Sequence, residues 1–303
     1  MNPAPLLLFA YNRLKHTKGT IEALQKNNLA GATELFVFSD NAKKEIDQAA
    51  VSEVRNYIKT VKGFKEVYIF ERDSNFGLGK NIIDGVTRIV NERGRAIVLE
   101  DDLITSPFFL EYINQGLEIY ENEETVASIH GYCYPVTKKL PETFFIRGAD
   151  CLGWGVWKRS WSLFEPDGNK LLQKLVDSKQ TSLFDYNDSY PFTQMLRDQI
   201  AGKNNSWAIR WYASAFINNK FTLYPGRSLV FHAGGDGSGT NVGIDDVYDV
   251  GLSFTPIKMT KLEVRQNEEA YKAFEQFQYK LSHPPLLYRV RRKLKQLFIH
   301  PAN

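Results

Sequence analysis

The sequence is poor in cysteine and in net charge. Only two of its 303 residues are cysteines; Cys133 and Cys151 lack the short paired spacing of a zinc or redox site and are too few for a disulfide framework. We therefore expect a reducing compartment. The 38 Lys and Arg nearly balance the 35 Asp and Glu, and the formal net charge of +3 is too small to indicate a nucleic-acid partner.

Long apolar runs are also missing. No uncharged stretch approaches the ~20 residues that a membrane-spanning helix needs, and the apolar run at residues 6–10 lacks the flanks and cleavage pattern of a secretion signal. These absences predict a cytoplasmic protein. Aromatic residues, in contrast, make up 13% of the chain, which indicates a globular fold rather than a disordered chain.

Four short apolar runs alternate with helix-like segments over the first hundred residues. The runs cover residues 5–11, 34–39, 66–71 and 95–99. Fully apolar strands that alternate with helices predict a parallel sheet with helices on both faces. We found no Pro/Ser-rich linker, so the remainder of the chain is expected to extend the same sheet.

Polar residues follow these strands where each one ends. Asn12 and Arg13 come after the first strand, Asp40 after the second, and three acids after the fourth. In parallel sheets, ligands bind beyond the carboxyl ends of the strands, where loops and helix N-termini converge. These positions are therefore the first candidates for a binding site.

The acidic triplet, Glu100-Asp101-Asp102, is the most specific feature of the sequence. Adjacent carboxylates at the end of a buried strand repel one another unless a cation or hydrogen-bond donors compensate them. Mg²⁺ or Mn²⁺ prefers oxygen ligands and is usually held by one or two carboxylates together with substrate phosphates. The triplet therefore predicts a metal and phosphate site, and the alternative is an acidic loop that caps the helix after Ser106.

A glycine-containing segment follows the third strand. Asn75, Gly79 and Lys80 precede a predicted helix, whose first amide groups are suited to face a phosphate. The spacing is not that of a Walker loop, and a tight turn with a helix cap is the alternative.

Together these segments resemble the nucleotide-sugar half of glycosyltransferases of the A-type fold. The matching segments are residues 9–13, 39–40, 75–81 and 100–102. The Glu-Asp-Asp form of the triplet resembles the N-acetylglucosaminyltransferase I family and bacterial family-2-like sugar transferases. The resemblance spans residues 5–240 and implies a Rossmann-like mixed α/β sheet with helices on both faces. The catalytic domain would cover residues 1–283, with a nucleotide-sugar-binding half at 1–105 and an acceptor half at 106–283.

The resemblance also implies roles for individual residues. Asp102 would bind Mn²⁺ or Mg²⁺, Asp101 would contact the ribose, and Glu100 would support the metal site. The other residues expected around the nucleotide-sugar donor are Tyr11, Asn12, Arg13, Asp40, Asn75, Gly79 and Lys80, with Asp40 bonding the base. Such a metal would stabilise the negative charge that develops on the departing diphosphate.

Two further parts of a transferase site have candidates in the second half. Trp154 matches a Leu-Gly-Trp run of the resembled family and would form a wall of the active site, with a core tryptophan as the alternative. An inverting transfer needs a base, and Asp198 is preferred over Asp188 and Asp185. The family's Trp-Asp-Asp-Trp run corresponds here to residues 207–211, which contain no acid.

His232 precedes a loop at 234–243 that contains five glycines. Loops of this kind close over a bound donor, and His232 is a candidate metal ligand, with a purely structural histidine as the alternative. Residues 284–303 contain five basic residues and no acid. They are predicted to form an amphipathic helix that contacts an anionic membrane surface, on the inner face of the cell membrane, or that docks on the catalytic domain instead.

These features predict a metal-dependent, inverting glycosyltransferase that uses a nucleotide-diphosphate sugar, expected to be a UDP-sugar. Its acceptor would be a glycan or a lipid-linked molecule in surface polysaccharide synthesis. Two other classes remain open. A sugar-phosphate nucleotidyltransferase would use a similar sheet and metal site but normally has a Gly-rich basic loop after the first strand. A non-catalytic glycan-binding protein has no need of three adjacent carboxylates.

Overall fold

The structure is a computed structural model that describes residues 2–236 and 247–284. Most of the glycine-rich loop, residues 237–246, and the basic tail from residue 285 onward lie outside the described residues. The predictions made for those two segments therefore stay predictions.

The described residues form strands and helices that alternate through the first half of the chain. The strands are β1 (Leu6–Ala10), β2 (Glu34–Ser39), β3 (Glu66–Glu71), β4 (Arg95–Glu100), β5 (Leu103–Thr105), β6 (Val126–His130), β7 (Thr143–Arg147), β8 (Trp154–Trp157), β9 (Phe221–Pro225) and β10 (Val230–His232). The helices are α1 (Leu14–Gln25), α2 (Gln48–Ile58), α3 (Leu78–Arg93), α4 (Phe109–Ile119), α5 (Lys158–Trp161), α6 (Gly168–Asp177), α7 (Thr181–Phe184), α8 (Phe192–Ile200), α9 (Trp207–Ile217) and α10 (Glu268–Ser282).

Strands from both halves of the chain lie in one eight-stranded sheet. Its order is β3-β2-β1-β4-β8-β6-β9-β7. The first four strands are parallel, β8 runs antiparallel between β4 and β6, and β7 runs antiparallel to β9. β5 and β10 form a separate two-stranded antiparallel sheet. The predicted class, a mixed α/β sheet with helices on both faces, is confirmed.

Alternate side chains of β1 show how the sheet is covered. Leu6 and Leu8 pack in a core with residues of α1, α2 and α4, whereas Leu7 and Phe9 pack on the other face with residues of α3 and α9. A strand that is buried on both faces has no place for a polar side chain, so it appears in the sequence as a continuous apolar run. A third core, between β7, β9 and helices α6, α8, α9 and α10, stabilises the second half.

The helices of the described residues give no membrane span, because none of them is long and apolar enough to cross a bilayer.

Close packing of α3 on β1 leads to a stability prediction at Gly85. An alanine normally stabilises a helix interior relative to glycine, by about 0.5–1 kcal/mol. Here, however, a Cβ atom would lie 2.8 Å from two ring carbons of Phe9 and 3.2 Å from Phe38, and these two rings are stacked. We expect Gly85→Ala to lower the free energy of unfolding by about 1–2 kcal/mol, measured by urea denaturation.

The matched control is Gly31→Ala, because a Cβ atom at Gly31 meets nothing within 4 Å. We expect it to change the free energy of unfolding by less than about 0.5 kcal/mol. A Gly85→Ala variant as stable as the wild type would contradict the close contact with Phe9.

Candidate active site

The acidic triplet lies where β4 ends, beside the end of β1. Phe9 of β1 pairs with Glu100 of β4, so the residues that follow β1 come next to the residues that follow β4. Asp101 and Asp102 are only 4% and 8% exposed. Two carboxylates buried to this degree need compensating charge or donors.

Arg13 supplies that charge. One guanidinium nitrogen, Nη2, lies 2.5 Å from Asp101 Oδ1 and 2.9 Å from Asp102 Oδ2. Thr17, one turn along α1, donates to the other Asp101 oxygen at 3.3 Å, and the hydroxyl of Thr20 donates to the Asp101 carbonyl at 2.8 Å. These bonds join the start of α1 to the end of β4. Arg13, which was predicted to lie near the nucleotide-sugar donor, thus contacts two carboxylates of the acidic triplet.

His232 reaches the same carboxylate from the second sheet. In the β5–β10 ladder His232 pairs with Leu103, the residue next to Asp102, and the amide of Ala233 donates to the Asp102 carbonyl at 2.8 Å. This register places His232 Nε2 3.6 Å from Asp102 Oδ2. The structure thus brings together the two residues predicted as metal ligands.

The surroundings shift the pKa values of Glu100 and Asp102 in opposite directions. Burial, together with the charges of Asp102 and Asp101, raises the pKa of Glu100 to about 8. Burial opposes ionisation of Asp102 as well, but the nearby imidazole of His232 and the charge of Arg13 outweigh it and lower the pKa of Asp102 to about 2. At neutral pH, therefore, Glu100 is largely protonated and Asp102 is an anion, the form that a metal ligand requires.

The space around Asp102 and His232 fits a divalent cation. Two ligands that each lie about 2.1 Å from one ion are about 3–4 Å apart, and the Asp102 oxygen and the His232 nitrogen are 3.6 Å apart. A Cβ atom on Gly234 would lie 2.4 Å from that oxygen and 2.8 Å from that nitrogen, so this glycine leaves the space open. Within residues 2–236 and 247–284, no group of three or more His, Cys, Asp or Glu side chains is arranged to hold a metal. Substrate oxygens would have to complete the coordination.

Asp40 has a different position from the one expected of a base-binding residue. It is 4% exposed, and its two oxygens accept hydrogen bonds from the amides of Asn41, Phe76 and Gly77 and from the side chain of Asn75, at 2.8–3.2 Å. These bonds use the carboxylate fully. Asp40 and Asn75 therefore fix the turn that leads into α3, where Gly77 has a φ of +71°.

The remaining predicted donor residues line the neighbouring loops. Tyr11 and Asn12 both donate to the carboxylate of Asp47, at 3.1 and 3.4 Å. The ammonium of Lys80 lies 4.2 Å from the centroid of the Phe76 ring. Gly79 lies against the segment between α8 and α9, because a Cβ atom at Gly79 would lie 3.1 Å from the carbonyl oxygen of Asn205. Sequence reasoning missed Asp47, which has no strand end or motif to mark it.

Trp154 is part of the core and not a wall of the active site, contrary to the expectation. It is 0% exposed and packs against Trp161, Trp207 and Trp211, with ring centroids 5.7 Å apart in each pair. The reason is its strand: β8 lies between β4 and β6, where both faces of the sheet are covered.

The structure does not bring the predicted bases to the acidic triplet. Asp198 on α8 accepts from Gln194 at 3.0 Å and lies 3.4 Å from the ammonium of Lys203. Asp188 lies in a turn, with a φ of +63°, and accepts from Ser182 at 2.6 Å. Among the described residues, no hydrogen bond or ion pair joins either acid to the triplet.

Asp150 is an acid near the triplet that sequence reasoning missed. Its carboxylate accepts from the hydroxyl groups of Tyr134 and Tyr224, at 2.6 and 3.4 Å, and from the amide of Cys151 at 2.8 Å. Burial raises the pKa of the Cys151 thiol, and the charges of Asp150, Glu100 and Asp102 add to that shift, so all three acids lie near Cys151. The available signal was its position two residues before the Leu-Gly-Trp run.

Comparisons with known proteins identify no family for the chain. No protein-family model matches it, and no curated protein matches its sequence. Among solved structures, the mannosyltransferase PcManGT from Pyrobaculum calidifontis, in complex with GDP-Man and Mn²⁺, is similar at 13% identity and a TM-score of 0.33, over 43% of this chain and 35% of that one. S. aureus TarS is similar at 11% identity and a TM-score of 0.35, over 73% and 36%.

A UDP-glucose pyrophosphorylase complexed with UDP-glucose is similar at 12% identity and a TM-score of 0.34, over 73% of this chain and 90% of that chain. The chain thus spans about a third of the length of the mannosyltransferase and of TarS. These overall similarities are too low to assign an activity, which has to be argued from the site itself.

The raised pKa of Glu100 predicts a dependence of stability on pH. Because its pKa rises from 4.5 to about 8 on folding, the folded protein keeps a proton that the unfolded chain releases, so stability falls as pH rises through this range. The slope for one group reaches at most about 1.4 kcal/mol per pH unit. In EDTA, we expect the free energy of unfolding of the wild type to fall more, or rise less, between pH 5 and pH 8 than that of Glu100→Gln, because buried His130, whose pKa is lowered, contributes with the opposite sign in both proteins.

The test is urea denaturation of wild type and Glu100→Gln at both pH values. Glu100→Gln should show the smaller fall, or the larger rise, whereas Glu53→Gln, a change at an exposed acid on α2, should keep the wild-type slope. Equal slopes for wild type and Glu100→Gln would refute a protonated Glu100.

Proposed function

We propose that the protein is a divalent-metal-dependent glycosyltransferase of the A-type fold, which moves a sugar from a nucleotide-diphosphate donor, in the first instance a UDP-sugar, to a glycan or lipid-linked acceptor. The observation that carries the proposal is the pair formed by Asp102 and His232 at the carboxyl end of β4. The two ligand atoms are 3.6 Å apart and face the space that Gly234 leaves open. A cation there, Mn²⁺ or Mg²⁺, would offset the negative charge of the departing nucleotide diphosphate.

The chain's own residues complete the site in this proposal. Asp102 is held as an anion by Arg13 and His232, so it is ready to act as a ligand. Arg13 has a second guanidinium nitrogen, Nη1, that is buried and has no hydrogen-bond partner among the described residues, and it would donate to a donor phosphate or ribose oxygen. Asp101 orients Arg13, and protonated Glu100 can donate a hydrogen bond instead of adding a third negative charge.

An inverting transfer also needs a carboxylate that removes the proton of the acceptor hydroxyl. We place Asp150 in this role, ahead of Asp198 and Asp188, because Cys151, the next residue, feels the charges of both Asp150 and the acidic triplet, whereas the other two acids are bonded to residues of their own segments. The hydroxyl groups of Tyr134 and Tyr224 fix its carboxylate in one orientation.

The metal role of Asp102 predicts a loss of activity without a loss of fold. With a panel of UDP-sugars and Mn²⁺, we expect the wild type to release UDP, and Asp102→Ala to do so at least about 100-fold more slowly, because charge on the leaving group is no longer offset. Asp102→Ala should also weaken Mn²⁺-dependent UDP binding, measured by calorimetry. Asp177→Ala, at an acid on α6 bonded to Gln173 at 2.7 Å, is the control and should behave as wild type.

The product that is released distinguishes a glycosyltransferase from a sugar-phosphate nucleotidyltransferase. A nucleotidyltransferase would release pyrophosphate when it is given UTP and a sugar 1-phosphate. It would release no UDP from UDP-sugars. Pyrophosphate as the only product, or full activity in Asp102→Ala, would refute the proposal. A glycan-binding protein would release neither product.

The base assignment makes a separate prediction. Asp150→Asn keeps the shape of the side chain, so we expect unchanged UDP affinity but a kcat for transfer that is lower by about 100-fold or more. Asp198→Asn should keep the wild-type kcat. The opposite result for the two variants would return the role to Asp198.

We further propose that the enzyme acts in the cytoplasm in surface polysaccharide synthesis, with the basic tail at residues 284–303 against an anionic inner membrane surface. The excess of positive charge in that tail supports this placement.

A further inference from the structure

A large open pocket lies at the same edge of the sheet as the acidic triplet, in the second half of the chain. Trp154, the first residue of β8, pairs with Val98 near the end of β4 and with His130 at the end of β6, so β4 and β6 end at one edge. β9 is parallel to β6 and ends at this edge as well. The pocket lies between the segments that follow β6 and β9, which we call the edge pocket.

The edge pocket has the size of a ligand site. It has a volume of about 710 Å³ and is lined by parts of three segments, residues 133–142, 226–228 and 249–253. Small-molecule sites usually measure about 300–1,000 Å³, which holds one or two sugar rings. The amide of Ser253 donates to the carbonyl of Ser228 at 2.8 Å, and this bond fixes the third segment against the second.

Two of its lining residues connect the edge pocket to the active site. Tyr134 lines the pocket, and its hydroxyl donates to Asp150 at 2.6 Å. Ser228 also lines it and donates to the carbonyl of Val230 at 2.6 Å, at the start of the strand that carries His232. The side chain of Tyr134 thus joins the edge pocket to the proposed base, and Ser228 joins it to the strand that carries the proposed metal ligand.

The lining carries three basic residues, Lys138, Lys139 and Arg227, and two acids, Glu142 and Asp249. Arg227 and Glu142 form a two-bonded ion pair, at 2.7 and 3.2 Å, and Lys138 pairs with Glu269 at 3.1 Å. Lys139 is exposed and has no hydrogen bond or ion pair with any described residue. Its ammonium is thus available to a ligand, and the partner that it suits is a carboxylate or a phosphate.

We propose that the edge pocket binds the acceptor and that this acceptor is a saccharide with an anionic group, which Lys139 recognises. The inference rests on the proposed transferase function. Pro135, Pro141 and Val250 supply short apolar surfaces for the faces of a sugar ring, and the exposed peptide groups of the three segments supply donors and acceptors for its hydroxyl groups. Leu140 and Leu252 add larger apolar side chains to the lining, so the proposal concerns the anionic group of the acceptor and not the exclusion of a lipid.

Position 251 allows the pocket to be filled without disturbing the fold. Gly251 lines the pocket, and a Cβ atom there meets nothing within 4 Å, so the side chain of Gly251→Phe projects into open space. Gly31→Phe is the matched control, because Gly31 has equally open surroundings and precedes β2 at the opposite edge. Lys139→Gln has its control in Lys158→Gln, also at the opposite edge, where the Lys158 amide bonds to Gly94 at 2.8 Å.

The experiment measures binding of glucuronate, glucose 6-phosphate and glucose to the full chain by ligand-observed NMR titration. We expect the wild type to bind the two anionic sugars about fivefold more tightly than glucose, the effect of one exposed ion pair. Lys139→Gln should abolish this preference and Lys158→Gln should keep it. A preference for only one anionic sugar identifies the group as a carboxylate or a phosphate. Gly251→Phe should weaken binding of all three sugars about tenfold, and Gly31→Phe should not.

UDP titrations in Mn²⁺ on the same variants separate this proposal from the transferase proposal. Retained UDP binding in Gly251→Phe together with weaker sugar binding would support an acceptor site. Unchanged sugar binding in Gly251→Phe, or equal binding of glucose and the anionic sugars by the wild type, would overturn the acceptor site and leave the transferase proposal intact. Loss of UDP binding in Gly251→Phe would overturn it too, because the pocket would then belong to the donor. A wild type that binds no UDP would refute the transferase function itself.

Discussion

The site depends on the ion pairs that join Arg13 to Asp101 and Asp102. Parallel pairing of β1 and β4 puts the chain that leaves β1 next to the chain that leaves β4, and the guanidinium occupies the point where they meet. Without this cation, two buried carboxylates would face each other and a largely protonated Glu100, at a cost of several kcal/mol. The junction of α1 with β4 and the charge of Asp102 depend on that arrangement, and the β5–β10 register adds His232 to it.

The two halves of the chain contribute different things to one edge of the sheet. The parallel half ends in charged groups that are buried and tightly paired. The second half contributes Asp150, the edge pocket and, through β10, the histidine that faces Asp102. A transferase needs this division, because the donor carries a diphosphate that has to be neutralised, whereas the acceptor needs mainly shape and a base.

The sequence allowed the parallel strands and the acidic triplet to be predicted because both are local patterns. Each of the four predicted runs lies within one residue of its observed strand. In β1, β2 and β4, burial on both faces leaves little room for polar side chains, whereas β3 is an edge strand that is only partly buried. Roles were harder to predict than positions. Asp40 has the sequence context of a ligand-binding acid, but its four donors come from residues 41 and 75–77. The glycines and tryptophans around Trp154 are typical of a sugar-binding wall. Trp154 is buried because β8 lies between β4 and β6, and the local sequence does not reveal that strand order. Three-residue strands such as β5 and β10 carry too little pattern to reveal that His232 faces Asp102.

For the proposed metal-dependent transfer, Arg13 also has a consequence between turnovers. Its guanidinium bonds to both buried aspartates without any bound ion. Departure of the nucleotide together with the metal would therefore leave one positive charge between the two carboxylates and the strand ends joined. Scarcity of divalent cations would then stop the chemistry without unfolding the protein, and activity would return as soon as the ion did.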